Sequence, residues 1–249
     1  MANERDKTPD KTTPAPAGTR HEPAAPSARA EIDAFIKRAR TLAPSTDGKR
    51  GRLIFALDAT MSRQPTWDTA CKLQGEMFRE AAAIGGLDVQ LVYFRGLNEC
   101  RSSRWVSDGA GLGDLMARID CRGGHTQIGK VLSHARAESD KGKVAALVYV
   151  GDAMEEAIDD LAAKAGDLGL RGMPAFVFQE GHDPVAEQAF REIARLTRGA
   201  YCRFDLSAAH ELSELLRAAA VYAAGGVKAL ADLSARRGTG AQKLLAQMR

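Results

Sequence analysis

Three oxygen-bearing side chains follow the first strongly apolar segment of the sequence at alternate positions. Asp58, Thr60 and Ser62 come directly after RLIFAL at 52–57. A loop that curls over the end of this segment can turn all three side chains inward. Carboxylate and hydroxyl groups are hard oxygen ligands, which suit magnesium, manganese or calcium far better than zinc or copper. The motif therefore predicts a site for a divalent cation.

Two further polar residues belong to the same candidate site. Thr126 ends the loop sequence RGGHT at 122–126, just before a predicted helix. Asp152 follows the apolar run VAALVYV at 144–150 after a single glycine. Because the carboxyl ends of parallel strands meet at one edge of a sheet, we expect Asp58 and Asp152 to lie close together. Five side chains from three loops would then surround one ion.

Buried apolar segments alternate with helical patterns along most of the chain. Strands are predicted at 52–57, 88–95, 100–105, 143–150, 173–179 and 200–204. Helices are predicted at 67–84, 110–119, 127–139, 155–168, 184–197 and 208–223. This alternation is typical of a sheet covered on both faces. The sequence therefore predicts an α/β fold with a three-layer, doubly wound, mainly parallel sheet and one antiparallel edge strand.

The chain divides by composition into four parts. Residues 1–30 hold five of the nine prolines and almost no bulky apolar side chain, which predicts a disordered leader. Residues 31–48 are expected to form a short helix and a linker, and residues 49–224 the α/β domain. Residues 225–249 carry five basic residues and one acidic residue, which indicates a basic helical tail. This tail can dock on its own domain, on a partner or on an acidic surface.

Composition also argues against several classes of function. The longest apolar run, at 144–150, is far shorter than the roughly 20 residues that span a bilayer. The formal net charge is only +3, and the whole of that excess lies in the tail, so nucleic-acid binding is not expected for the domain. Four widely spaced cysteines without a C-x-x-C pair fit reduced thiols. No apolar segment of signal type follows Met1, and we expect a cytoplasmic protein that does not associate with membranes.

The candidate site also resembles that of a known family. D-x-T-x-S at Asp58, Thr60 and Ser62, the loop G-G-x-T-x-I-G-K around Thr126, and an apolar strand followed by Asp152 resemble the von Willebrand factor type A (VWA) domain with its metal-ion-dependent adhesion site (MIDAS). The similarity covers residues 49–224 and includes the order of helices and strands. It implies a Rossmann-like VWA fold.

The resemblance implies a role for each residue of the site. Thr60 and Ser62 would coordinate the ion directly, and Thr126 directly or through water. Asp58 and Asp152 would hold coordinated waters or bind the ion in turn. The last coordination position would be left for an Asp or Glu of a partner protein. The implied function is that of an adaptor or accessory subunit of an intracellular assembly, including assemblies with AAA-type ATPases or chaperones, without catalysis.

The sequence departs from the family pattern at several positions. Thr60 stands where the family usually has serine, which keeps the oxygen but stiffens the side chain. Arg63 follows the motif directly, and Ala153 stands where glycine is common. Glu155 and Glu156 are expected to be solvated acids in the first turn of the helix predicted at 155–168, where they favour the helix dipole.

The same residues allow three other interpretations of the site. The segment GHTQIGKV at 124–131 nearly matches a phosphate-binding loop, but Val131 replaces the hydroxyl that would hold magnesium, and no buried strand precedes it. An aspartyl phosphotransferase or phosphatase of the haloacid dehalogenase type would use Asp58 as its nucleophile, but Thr60 stands where a second Asp is expected. In a VWA-like scaffold without metal, Asp58 and Thr126 would only cap helices and satisfy loop amides.

Overall fold

The computed structural model describes residues 50–82, 85–205, 209–236 and 238–248. The leader predicted at 1–30 and the segment predicted at 31–48 both lie outside the described residues.

Six strands form a single sheet. They are β1 (Gly51–Asp58), β2 (Leu87–Arg95), β3 (Glu99–Val106), β4 (Ala146–Gly151), β5 (Ala175–Glu180) and β6 (Ala200–Phe204). Their order across the sheet is β3-β2-β1-β4-β5-β6. All neighbouring strands run parallel except β2 and β3, which are antiparallel. The predicted fold class, with its antiparallel edge strand, is confirmed.

The strands are built from residues that favour a buried, pleated surface. All nine residues of β2 are buried, as are all six of β4. Such unbroken burial is expected for central strands of a sheet that is covered on both faces. The edge strand β3 has a mixed pattern of burial, which agrees with its more polar sequence.

Seven helices are described. They are α1 (Gln64–Ala82), α2 (Gly109–Met116), α3 (Ile128–Lys141), α4 (Ile158–Leu170), α5 (Pro184–Leu196), α6 (Ala209–Ala235) and α7 (Thr239–Leu245). Helices α1, α2, α6 and α7 pack on one face of the sheet, against Leu53, Phe55 and Leu57 of β1. Helices α3, α4 and α5 pack on the other face, against Ile54 and Ala56. Alternate residues of β1 thus contribute to two separate cores.

Four predicted helix boundaries were wrong by three residues or more, at the start of α1, the end of α2, the start of α4 and the end of α6. Helix α4 begins at Ile158, three residues later than expected, because residues 152–157 form a loop that reaches toward α3. Helix α6 does not end near residue 223 but continues to Ala235, with a kink at Gly226. Gly226 has a φ of 68°, a left-handed conformation that favours glycine.

The C-terminal segment packs on the domain. Leu230 of α6 and Leu244 of α7 are completely buried in the core on the first face of the sheet. Just after α7, the Gln247 side chain accepts a hydrogen bond from Tyr201 N at 2.9 Å and donates one to Tyr201 O at 2.8 Å. Gln247 therefore covers part of the open edge of β6, much as a neighbouring strand would.

The register of the sheet brings two loops of interest together. Leu57 of β1 lies opposite Val150 of β4, so Asp58 and Gly151 end neighbouring strands at the same level. Strands β2 and β3 lie on one side of β1, and strands β4, β5 and β6 lie on the other. The strand order therefore reverses between β1 and β4, which is the topological switch point of the sheet. Ligands of doubly wound sheets bind at such points.

Candidate metal centre

Asp58 is the last residue of β1 and its side chain is almost completely enclosed, with 2% of the residue exposed. Its Oδ1 accepts a hydrogen bond of 2.7 Å from the backbone N–H of Thr60. Its Oδ2 is buried and has no hydrogen-bond partner among the described residues. A buried carboxylate oxygen without a donor is unfavourable, and a cation would satisfy it.

The residues after Asp58 turn back over the edge of the sheet. Ala59 N still donates to Phe94 O of β2, and a short 3₁₀ turn over Met61–Arg63 then reverses the chain. This turn brings the Thr60 Oγ1 and Ser62 Oγ atoms to 3.4 Å from each other. The two hydroxyls of the motif therefore lie next to each other at the end of β1, close enough for both to contact one ion.

Asp152 lies beside this turn, one residue beyond the end of β4. Its Oδ2 accepts a hydrogen bond of 3.0 Å from Ser62 Oγ. Its Oδ1 is buried and has no hydrogen-bond partner within the described part of the chain. Asp58, Thr60, Ser62 and Asp152 thus form a continuous series of contacts, with one unpaired carboxylate oxygen at each end.

Thr126 is held by the loop that precedes α3. Gly124 packs directly on Gly96 at the end of β2, and a Cβ atom at position 124 would lie 2.2 Å from the Gly96 oxygen. His125 N also donates to Gly96 O at 3.1 Å. Thr126 itself is buried, with 7% exposed. The close approach of two glycines therefore sets the position of the Thr126 loop on the sheet.

Thr126 contacts the Asp152 loop through Glu155. The Thr126 N–H donates to Glu155 Oε2 at 3.0 Å, and Thr126 Oγ1 accepts from Glu155 N at 3.0 Å. The structure thus joins Thr126 to the loop that carries Asp152. Its hydroxyl keeps a proton and one lone pair that this pair of bonds does not use.

Glu155 and Glu156 do not lie in the first turn of α4, where the sequence predicted them, although Glu155 is exposed to solvent as expected. Both precede α4, and Glu156 accepts hydrogen bonds from the backbone N–H groups of Ile128 (2.5 Å) and Gly129 (2.8 Å). Glu156 therefore caps the N-terminus of α3 from a different loop, where its negative charge also favours the helix dipole.

The sequence motif did not predict the role of Arg63, which contacts two carboxylates at the site. Its side chain is only 2% exposed, although it carries a permanent positive charge. Nη1 lies 3.6 Å from Asp152 Oδ2, and Nη2 forms an ion pair with Glu180 at the end of β5. The Thr66 hydroxyl also donates to Glu180. In the sequence, the signal for this arrangement was Glu180, a third acidic residue directly after a predicted parallel strand at 173–179.

Burial controls the electrostatics of Asp58. Its pKa is raised to about 6, mainly because burial removes the carboxyl group from water, and the nearby Asp152 acts in the same direction. The hydrogen bonds from Thr60 and the charge of Arg63 act in the opposite direction but are weaker than the burial. A divalent ion beside Asp58 would favour the ionised carboxylate, because it replaces the solvation that burial removes.

The residues fit a hard divalent cation. Unpaired buried oxygens of two carboxylates lie next to two hydroxyls that contact each other, and all of these donors are oxygen. Across the described ranges, no group of three or more His, Cys, Asp and Glu side chains could hold a metal ion. A site with hydroxyl ligands and only two carboxylates is not of that type. Oxygen-only donors favour magnesium, manganese or calcium.

Solved structures show which fold this is. A von Willebrand factor type A protein from Catenulispora acidiphila is 16% identical with a TM-score of 0.57, and the match covers 71% of this chain and 43% of that one. The SpRpn10 VWA domain is 12% identical with a TM-score of 0.52, over 66% and 95% of the two chains. The chain has the fold of a VWA domain, as the sequence resemblance implied.

A third structure of this fold contains a metal. Proximal thread matrix protein 1 from the mussel byssus, described with a zinc-occupied MIDAS motif, is 15% identical with a TM-score of 0.55. The match covers 69% of this chain and 46% of the mussel chain. The present chain therefore spans less than half the length of the mussel and Catenulispora acidiphila chains. No protein-family model and no curated protein matches the sequence.

Proposed function

We propose that the protein is a metal-dependent protein-binding module. A divalent ion at Asp58, Thr60, Ser62, Thr126 and Asp152 would coordinate an Asp or Glu side chain of a partner protein. The observation that carries this proposal is the pair of buried, unpaired oxygens, Asp58 Oδ2 and Asp152 Oδ1, on either side of the Thr60 and Ser62 hydroxyls. Neither oxygen has a hydrogen-bond donor in the part of the chain that the structure describes, so a bound cation would stabilise both of them.

The donor set explains why such an ion would bind a partner. An ion held mainly by neutral hydroxyls and waters keeps most of its charge, so an incoming carboxylate gains a strong Coulomb interaction. Magnesium is the ion we propose, with manganese or calcium as substitutes, because all the donors are hard oxygens. Zinc belongs in the same test, since the mussel protein holds it in a MIDAS motif.

The partner we propose is a protein, not a nucleic acid or a membrane. In the described residues no helix is long and apolar enough to cross a bilayer. An adaptor or accessory role in an intracellular assembly, such as one with an AAA-type ATPase or a chaperone, is the role that the family resemblance favours. Within the described residues none of the four cysteines forms a disulfide, which supports a reducing compartment such as the cytoplasm.

The geometry gives less support to an enzyme. Position 60, where the aspartyl phosphotransferase mechanism needs a second carboxylate, is a threonine whose hydroxyl lies beside Ser62. The residues before α3 do not form a phosphate-binding loop, because Glu156 already occupies the backbone N–H groups of Ile128 and Gly129. Lys130 points away to the carbonyl of Asn98 at 3.2 Å. We propose no catalytic role.

Direct titration with metal tests the proposal. Calorimetry of the full chain with Mn²⁺, Mg²⁺, Ca²⁺ and Zn²⁺ should show one site, and Asp58→Ala should abolish it. The exposed Asp160 in the first turn of α4 gives the matched control, and Asp160→Ala should bind metal normally. A partner captured by the full chain should be lost on chelation and with Asp58→Ala.

Two results would contradict this function. Unchanged metal binding in Asp58→Ala would place the ion elsewhere. Phosphate release from generic phosphoesters that disappears in Asp58→Asn would favour the phosphotransferase mechanism instead.

A further inference from the structure

Arg63 is an unusual neighbour for a cation site. It is buried beside Asp152 and Glu180, and its Nε atom has no hydrogen-bond partner among the described residues. The guanidinium group keeps its charge at any ordinary pH. A fixed positive charge therefore lies in contact with a carboxylate of the proposed metal site.

The two carboxylates near Arg63 come from neighbouring strands. Gly151 of β4 pairs with Gln179 of β5, so Asp152 and Glu180 follow at the same level on the same edge of the sheet. Nη1 lies toward Asp152 and Nη2 toward Glu180. One arginine is therefore shared between a proposed metal ligand and a carboxylate outside the ligand set.

The contacts at Asp152 are divided between its two oxygens. Ser62 and Arg63 both approach Oδ2, whereas Oδ1 has no partner in the described residues. Arg63 thus holds Asp152 without occupying the oxygen that is free for an ion. Its charge still opposes the approach of a divalent cation, because the Coulomb interaction acts over several ångströms in a buried site.

We propose that Arg63 is an internal competitor that sets the affinity of the site for its divalent ion, and that Glu180 limits this competition by neutralising Arg63. This inference rests on the proposed metal function. Removal of the arginine charge should strengthen ion binding. Removal of the Glu180 charge should weaken it, because the guanidinium then has Asp152 as its main counter-charge.

The opposite signs distinguish this role from a merely structural one. If Arg63 and Glu180 only kept the site in shape, removal of either residue would weaken metal binding. Titration of the full chain with Mn²⁺ should show binding at least about tenfold tighter in Arg63→Gln and at least about tenfold weaker in Glu180→Gln. Arg63→Lys keeps the charge and should stay close to the wild type.

The double variant Arg63→Gln with Glu180→Gln guards against loss of folding. It removes both members of the buried ion pair, so neither charge is left unpaired. It should bind Mn²⁺ with an affinity between those of the two single variants. Thermal unfolding without metal checks that each variant is folded, and added Mn²⁺ should raise the melting temperature most in Arg63→Gln.

The outcomes separate this inference from the proposed function. If the wild type binds Mn²⁺ and Arg63→Gln binds equally or more weakly, the metal site stands and the role of Arg63 is refuted. If the wild type shows no binding but Arg63→Gln gains it, the inference is supported in its strongest form. If neither folded protein binds Mn²⁺, both ideas are overturned.

Discussion

Ser62 and Asp152 lie 90 residues apart in the sequence, and the Ser62 hydroxyl donates a hydrogen bond of 3.0 Å to Asp152 Oδ2. This bond joins the loop after β1 to the loop after β4 across the switch point of the sheet. It also orients Asp152 so that its other oxygen remains unpaired. The contact therefore connects the topology of the fold with the chemistry of the proposed site.

Ser62→Ala should weaken metal binding. The change removes a proposed ligand and also the bond that orients Asp152, and losses of this kind reduce metal affinity by roughly 10-fold to 100-fold. Calorimetric titration with Mn²⁺ measures the effect. The control is Ser139→Ala, because the Ser139 hydroxyl donates to the Arg136 carbonyl and accepts from Arg171 on the exposed side of α3, away from the proposed site. Equal affinities in the two variants would exclude Ser62 from the site.

Gly124→Ala should displace the Thr126 loop. An alanine Cβ would lie 2.2 Å from the Gly96 oxygen, so the loop must move away from β2. We expect a loss of about 1–3 kcal/mol in the free energy of unfolding, together with weaker Mn²⁺ binding. Urea denaturation and calorimetry measure the two effects.

The adjacent glycine provides the control for this experiment. A Cβ at Gly123 meets no atom within 4 Å, so Gly123→Ala should change neither quantity appreciably. If Gly124→Ala lowers stability but leaves metal affinity unchanged, Thr126 does not contribute to ion binding.

The sheet and the position of Asp58 and Asp152 at the same edge of it were predictable from the sequence. Long apolar runs such as VAALVYV indicate buried parallel strands, and polar residues that follow such runs must gather at one edge. The fold follows from patterns that extend over many residues, so small errors in each boundary did not change the topology.

The roles of Arg63, Glu155 and Glu156 were not predictable in the same way. Each depends on a contact between distant segments, and Arg63 and Glu156 are more enclosed than an Arg or Glu in a polar loop usually is. The position of Glu156 over the N-terminus of α3 depends on where residues 152–157 run, and local helical spacing carries no information on that path. Periodicity therefore misplaced the start of α4.

Glu156→Ala should destabilise α3 and loosen the Thr126 loop beside it. The variant loses two hydrogen bonds from backbone N–H groups to a charged acceptor, at Ile128 and Gly129. We expect a loss of about 1–3 kcal/mol in the free energy of unfolding, measured in urea. Asp160→Ala removes an exposed first-turn acid of α4 and should cost less than about 1 kcal/mol. Similar losses in both variants would show that Glu156 acts only as a general surface charge.

Gln247→Ala should expose the edge of β6. The Gln247 amide both accepts from Tyr201 N and donates to Tyr201 O, so the variant leaves two backbone groups of the edge strand without these partners. Hydrogen exchange at the Tyr201 amide should become faster, and the free energy of unfolding should fall by about 1 kcal/mol. Gln247→Glu should lose only the bond to the Tyr201 carbonyl, because a carboxylate can still accept from the Tyr201 N–H but cannot donate, so exchange at Tyr201 should change less than in Gln247→Ala. Gln242 bonds at 3.4 Å to Ser234 O on an exposed surface, and Gln242→Ala should leave exchange at Tyr201 unchanged. Unaltered Tyr201 exchange in Gln247→Ala would mean that the packing of α7, and not the amide, protects this edge.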